Sequence, residues 1–234
     1  MRLAVLFLLA VCAGPTPALA QQSDQARMQS CSDLIDKDPD QAYQEALHWL
    51  SQGQTPAARQ CAALALIGLG QEEAGALQLQ QLANEKDSGS IEQRVVYLAQ
   101  AGNAWMLAKD PQSAVSVLSA AIKIAPRDAE MHKDRARAFT MEEKWKEASD
   151  DLDTAISLSP GDAEALQARA YARLKLNKLP EAFDDVEAAL KQSPKDVNIA
   201  VLRGDIREAM RKAGMEDPVL KEAPTEARPH VVGN

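Results

Sequence analysis

Small and apolar residues recur along most of this chain in runs of helical length, each closed by a proline or glycine and reopened by a polar capping residue. Asp110-Pro111 combines an N-cap with a proline at the first helical position, and Ser90 with Gln93 has the spacing of a capping box. Asp128, Asp162 and Asp196 stand as acidic starts just after Pro126, Pro160 and Pro194. These signals predict helices near 91–108, 111–124, 128–141, 145–158, 162–176, 179–192 and 196–213, with Gly214 as the stop. Upstream, Thr55-Pro56 opens an apolar helix to Leu69, and Gly70 leads into another from Glu72 to Asn84. A further pair is expected from Asp24 to Lys37 and from Asp38-Pro39 to Leu50, with Trp49 as a large packing residue. Aromatics make up only 4% of the chain and alanine dominates its apolar fraction, which suits closely approaching helices and gives little for a sheet core.

The runs repeat. Pro126, Pro160 and Pro194 lie 34 residues apart, and small residues hold the same frame at Gly102, Ala136, Ala170 and Gly204, and at Ala114, Ala148 and Ala182. Larger apolar residues follow at Leu118, Leu152 and Val186, then Ala121, Ala155 and Ala189. Alanine and glycine let two helix axes approach where they cross, so these columns mark seams between paired helices. A unit of this length, with a small residue on each of two helices and a closing proline, resembles the tetratricopeptide repeat family, whose unit is a helix-turn-helix pair. The resemblance runs from about Val95 to Pro194 and continues as a lone first helix to about Ala213. Trp105 and Phe139 occupy the family's aromatic column, but Arg173 takes that place in the third unit and weakens one packing contact. The resemblance implies an all-α fold, a right-handed superhelix of antiparallel helix pairs with a C-terminal capping helix. Residues 21–89 are then degenerate N-terminal repeats, 90–214 the array with its capping helix, and 215–234 a flexible tail rich in Pro and charge. The extra residues Glu85 to Gly89 are expected to bend the stack.

Residues 1–20 have the pattern of a cleavable signal peptide. Arg2 supplies a positive start, Leu3 to Val11 a short apolar run, and Ala18-Leu19-Ala20 the small residues before a cut after Ala20. Cys12 follows Val11, so the small residue that a lipoprotein would carry before its cysteine is absent. The expected location is the bacterial periplasm. The whole chain has a formal charge of -8, and removing residues 1–20 takes away one more basic group, so nucleic acid and anionic lipid are poor partners. No later stretch is apolar for long enough to insert in a membrane. Cys31 and Cys61 remain after processing; in an oxidising compartment they form either a disulfide or two unlinked buried thiols.

No catalytic constellation is legible. His48, His132 and His230 are scattered and belong to no motif, there is no glycine-rich phosphate loop, and Cys31 and Cys61 lack a short-spaced second ligand for zinc. The chain is therefore expected to be no enzyme and to hold no cofactor or metal. Asp150, Asp151 and Asp153, with Asp184 and Asp185 one repeat later, lack the glycine and spacing of a calcium loop. With Arg135, Arg169 and Arg203, themselves 34 apart, they read first as salt-bridged, partly buried scaffold.

The concave side of such a stack is lined by the first helix of each unit. In register this face carries Val96, Ala99, Asn103 and Met106, then Glu130, Lys133, Arg137 and Thr140, then Glu164, Gln167, Tyr171 and Leu174. Family members that bind heat-shock-protein tails use a carboxylate clamp of lysines, asparagines and arginine. Here Asn103 is kept, but Ala99 and Glu164 stand where lysines are expected, which excludes that ligand class. The candidate partner-binding residues are Asn103, Met106, Lys133, Arg137, Tyr171 and Leu174, contacting an extended or helical protein segment, unless these positions are merely solvated. The expected function is a non-catalytic scaffold or adaptor. The alternatives are an accessory subunit positioning a cell-envelope enzyme, and a structural protein that self-associates.

Overall fold

The computed structural model describes residues 17–215, with side chains described from Asp24 onward. The regular structure is helical, in the order α1 (Pro17–Ile35), α2 (Pro39–Gln52), α3 (Pro56–Gly68), α4 (Glu72–Asn84), α5 (Ile91–Leu107), α6 (Pro111–Ile124), α7 (Ala129–Met141), α8 (Trp145–Leu158), α9 (Ala163–Lys175), α10 (Leu179–Gln192) and α11 (Val197–Lys212). No strand occurs among the described residues. The chain divides into two compact units between Ser88 and Gly89. The expected signal peptide and tail fall largely outside the described residues, at 1–16 and 216–234.

The first unit holds α1 to α4, each helix packed on the next, with α1 also on α3. Its starts follow the caps in the sequence: the Asp38 carboxylate accepts from Gln41 N at 2.9 Å and the Thr55 hydroxyl from Ala58 N at 3.2 Å. Helix α1 begins at Pro17, ahead of the expected Asp24. Proline is tolerated in a first turn, and the residues between Pro17 and Asp24 include neither proline nor glycine to break the helix. A disulfide joins Cys31 on α1 to Cys61 on α3 across a Cα separation of 6.1 Å, within bridging range. Arg27 lies over the Trp49 ring at 4.3 Å. The residues inserted after α4 are tied back to α3 by Arg59, which pairs with Glu85 and, at 2.6 Å, with Asp87.

The second unit is a solenoid of three hairpins, α5/α6, α7/α8 and α9/α10, closed by α11. Each hairpin turns in the same way. Lys109, Glu143 and Asn177 take left-handed φ angles of 62°, 57° and 59°. The following amide of Asp110, Lys144 or Lys178 then donates to the carbonyl of Trp105, Phe139 or Arg173 at 2.8 to 2.9 Å. This satisfies a carbonyl that the helix end would otherwise orphan. The acidic starts act as N-caps: Asp128, Asp162 and Asp196 accept from the amides of Glu130, Ala165 and Asn198. At the seams, Ala114, Ala136, Ala148, Ala170 and Ala182 are buried, and Leu118, Leu152 and Val186 of the same register are buried with them. A Cβ built on Gly102 would stand 2.6 Å from Leu118 Cγ, so only glycine gives α5 and α6 this approach. Among the described residues, helix α11 stands as a first helix without a second. A Cβ on its Gly204 meets nothing within 4 Å among the described residues, and Val197 and Val201 are exposed.

Candidate functional site

Of the carboxylates and arginines that could suggest acid-base chemistry, Asp151, Asp153, Asp185, Arg135, Arg169 and Arg203 are taken up in a structural ladder. Arg135 makes a two-pronged pair with Asp151, 16 residues ahead, at 2.7 Å from both Nε and Nη2, and reaches back 16 residues to Ser119 at 3.0 Å. Arg169 repeats this with Asp185 ahead (2.6 Å) and Asp153 behind (2.7 Å). Arg203 pairs with Glu187 behind it at 3.3 Å. Each arginine thus reaches the second helix of the preceding unit, and Arg135 and Arg169 also hold the second helix of their own. Arg173, in the aromatic column, is not simply a lost contact: it binds Asp185 and Asp153 at 2.8 and 3.1 Å and adds a second bridge. Asp150 and Asp184 are exposed on the other side of their helices, Asp150 paired with Lys146. His132 is buried, its ring nitrogens facing the Asp151 carboxylate at 3.3 Å and the Pro126 carbonyl at 3.2 Å. Among the described residues no group of His, Cys, Asp and Glu is disposed to hold a metal ion.

Helices α5 and α7 pack directly on one another, as do α9 and α11, but α7 and α9 approach less closely. Between them opens a cleft of about 130 Å³. Ala136, Arg137 and Thr140 form one wall and Ala165, Ala168 and Tyr171 the other, with Leu152 of α8 as its floor. An ionic bridge crosses between the two helices. The Lys133 ammonium on α7 reaches Asp162 at 2.8 Å and Glu164 at 3.4 Å, both at the start of α9, while also pairing with Glu130 at 3.0 Å. Asp162 holds both the cap of α9 and this bridge. Burial works against the charge of Lys133, but its hydrogen bonds to Asp162 and Glu130 and the pull of Asp162 and Glu164 prevail and hold its pKa above the usual lysine value.

Of the sequence-predicted residues, Lys133, Arg137 and Tyr171 come together in this cleft. Arg137 is half exposed, paired with Asp134 at 3.0 Å, with Glu164 at 3.6 Å, and donating to Asn103 at 3.2 Å. Asn103 therefore reaches the site through Arg137. Met106 is instead interior, 7% exposed on α5, which α7 packs against directly. Leu174 is half-buried and packs on the core shared by α9, α10 and α11. The sequence pattern did not single out Trp145 and Lys175. Trp145 meets Tyr171 edge to face at 5.7 Å, and the Lys175 ammonium lies 5.2 Å from the Tyr171 ring and 5.8 Å from that of Trp145. The four-residue spacing of Tyr171 and Lys175 on one helix was the available signal. Cys31 and Cys61, in the first unit, are bonded as described above.

Comparison with protein-family models gives no match, and none of the curated proteins matches. Solved structures do resemble this chain. MamA (41 to end) from Desulfovibrio magneticus RS-1 matches with a TM-score of 0.60 at 16% identity, over 75% of this chain and 96% of that one. TTC0263, a TPR protein of Thermus thermophilus, matches with a TM-score of 0.55 at 22% identity, over 78% and 98%. The Sgt2 TPR domain of Aspergillus fumigatus matches at 0.50 and 19%, over 59% and 91%. At these identities the likeness is one of fold.

Proposed function

We propose, from a chain that folds as a tetratricopeptide-repeat solenoid, that it is a non-catalytic adaptor of the periplasm that holds a protein segment between α7 and α9. The observation that carries this reading is the cleft itself: two neighbouring first helices are spread apart, and the gap is edged by half-exposed polar side chains over an alanine and leucine floor. An apolar interior with a few converging polar groups is the usual make-up of a binding site. Export is supported by the apolar run Leu3 to Val11 and by the Cys31–Cys61 bond, since disulfides persist in oxidising compartments.

The test places a photoreactive amino acid at Tyr171 and, as a control on the other face, at exposed Lys146 of α8, in cells carrying the native envelope. A discrete crosslinked protein from position 171 and none from 146 is the expected result. Capture from 146 alone refutes the assignment of the face. Fractionation of the same cells, with thiol labelling before and after reduction, checks export: the reading fails if the protein sits in the cytoplasm with Cys31 and Cys61 free to react.

A further inference from the structure

The rim of the α7–α9 cleft is unbalanced in charge. Four carboxylates, Glu130, Asp134, Asp162 and Glu164, face two cations, Lys133 and Arg137. A single ammonium, buried and pulled by three of these acids, is exhausted by them. Glu130 and Glu164 nevertheless keep about two-thirds of their side-chain surface open, at 66% and 65%. Asp134 itself is buried, and burial raises its carboxyl above the ordinary value against the pull of Arg137. The open carboxylates of the rim are therefore Glu130 and Glu164.

The far end of the cleft is different. Ala136, Ala165 and Ala168 leave room over Leu152, and Tyr171 closes the end with its ring braced by Trp145. An unpaired carboxylate at the rim meets the open faces of Glu130 and Glu164, whereas an aliphatic side chain meets the carbon of Ala136, Ala165, Ala168 and Leu152; Lys175 stands at the Tyr171 end, beside its ring.

We infer that the segment held in this cleft carries a branched aliphatic side chain for the alanine and leucine floor and a lysine or arginine beside it for Glu130 and Glu164. This rests on the binding reading proposed above and specifies its ligand class: a basic, leucine-like segment rather than an acidic tail.

A displayed library of random nonapeptides, selected on the full-length purified protein, tests the inference. The control is Ala168→Trp, which fills the cleft from an exposed position, with helicity checked by circular dichroism. Expected is enrichment of Lys or Arg next to Leu, Ile or Val, lost on the Ala168→Trp protein. A selected peptide is then synthesised and titrated. Glu164→Lys should weaken it about tenfold, and raising the salt should weaken it on the native protein. Enrichment of Asp or Glu, or of apolar residues with no charge bias, that still disappears with Ala168→Trp overturns the charge inference and leaves the binding cleft standing. Enrichment that Ala168→Trp does not touch, or none at all, overturns both.

Discussion

Gly102 and Gly204 occupy the same column of the repeat, yet alanine should act on them with opposite signs. On α5 a new Cβ at 102 would lie 2.6, 2.8 and 3.0 Å from Leu118 Cγ, Cδ2 and Cδ1. Leu118 is wholly buried, so all three branching carbons must shift together in closed packing. Overpacking of this kind costs about 1–3 kcal/mol, against a gain of about 0.5–1 kcal/mol from replacing glycine inside a helix. Gly102→Ala should therefore lose up to about 2.5 kcal/mol net. On α11 nothing among the described residues lies within 4 Å of the corresponding atom, so Gly204→Ala should keep the helical gain of about 0.5–1 kcal/mol. Repeat arrays open locally as well as globally. The assay is accordingly hydrogen exchange resolved to α5, α6 and α11, alongside urea unfolding followed by circular dichroism. Faster exchange in α5 and α6 for the first variant and slower exchange in α11 for the second are expected. If both variants stabilise, the α5–α6 seam is not as tight as argued; if Gly204→Ala destabilises, that face of α11 is covered in solution.

The arginine ladder predicts a contrast between neighbours. Asp185→Ala leaves Arg169 and Arg173 with Asp153 as their shared partner and should cost about 1–3 kcal/mol in urea unfolding, while Asp184→Ala should stay within about 0.5 kcal/mol. Replacing Cys31 and Cys61 together by serine should lower the stability of the first unit by about 3–4 kcal/mol for a closed loop of this length, with the melting of α5 to α11 unchanged by exchange. Two carboxyls should respond to pH in opposite directions. Asp162 is opposed by burial but held below its ordinary value by Lys133 and by the amide of Ala165, so its contribution is present above the unfolded carboxyl pKa and is lost as pH falls through the folded one. Asp134 is raised mainly by burial, so its ionised form burdens the fold at neutral pH and the burden vanishes below the unfolded value. Asp134→Asn should thus raise the unfolding midpoint at pH 7 and not at pH 3; a lower midpoint at pH 7 would show that its pair with Arg137 outweighs burial.

Where the helices begin and end, and how they pair, is written in the residues themselves. Those features are local: an aspartate before a first turn, a proline that cannot continue a helix, and a small residue every 34 positions where axes cross. For the same reason Asp128, Asp162 and Asp196 could be read as caps from the chain alone. Which of two adjacent side chains faces inward was not local. Asp151 and Asp185 lock arginines while Asp150 and Asp184 face away, although the 16-residue offset to Arg135 and Arg169 was there to be counted. Met106 and Lys133 shared a predicted wall, yet one is interior and the other is spent on three carboxylates, because that depends on how far α5, α7 and α9 stand apart. That distance is set by packing across the repeats. Asp162, legible only as a cap, also receives Lys133 across the gap, a contact that no local pattern announces. The pairing of Cys31 with Cys61 has the same origin, for a 6.1 Å approach of two backbones is a property of packed helices and not of residue spacing.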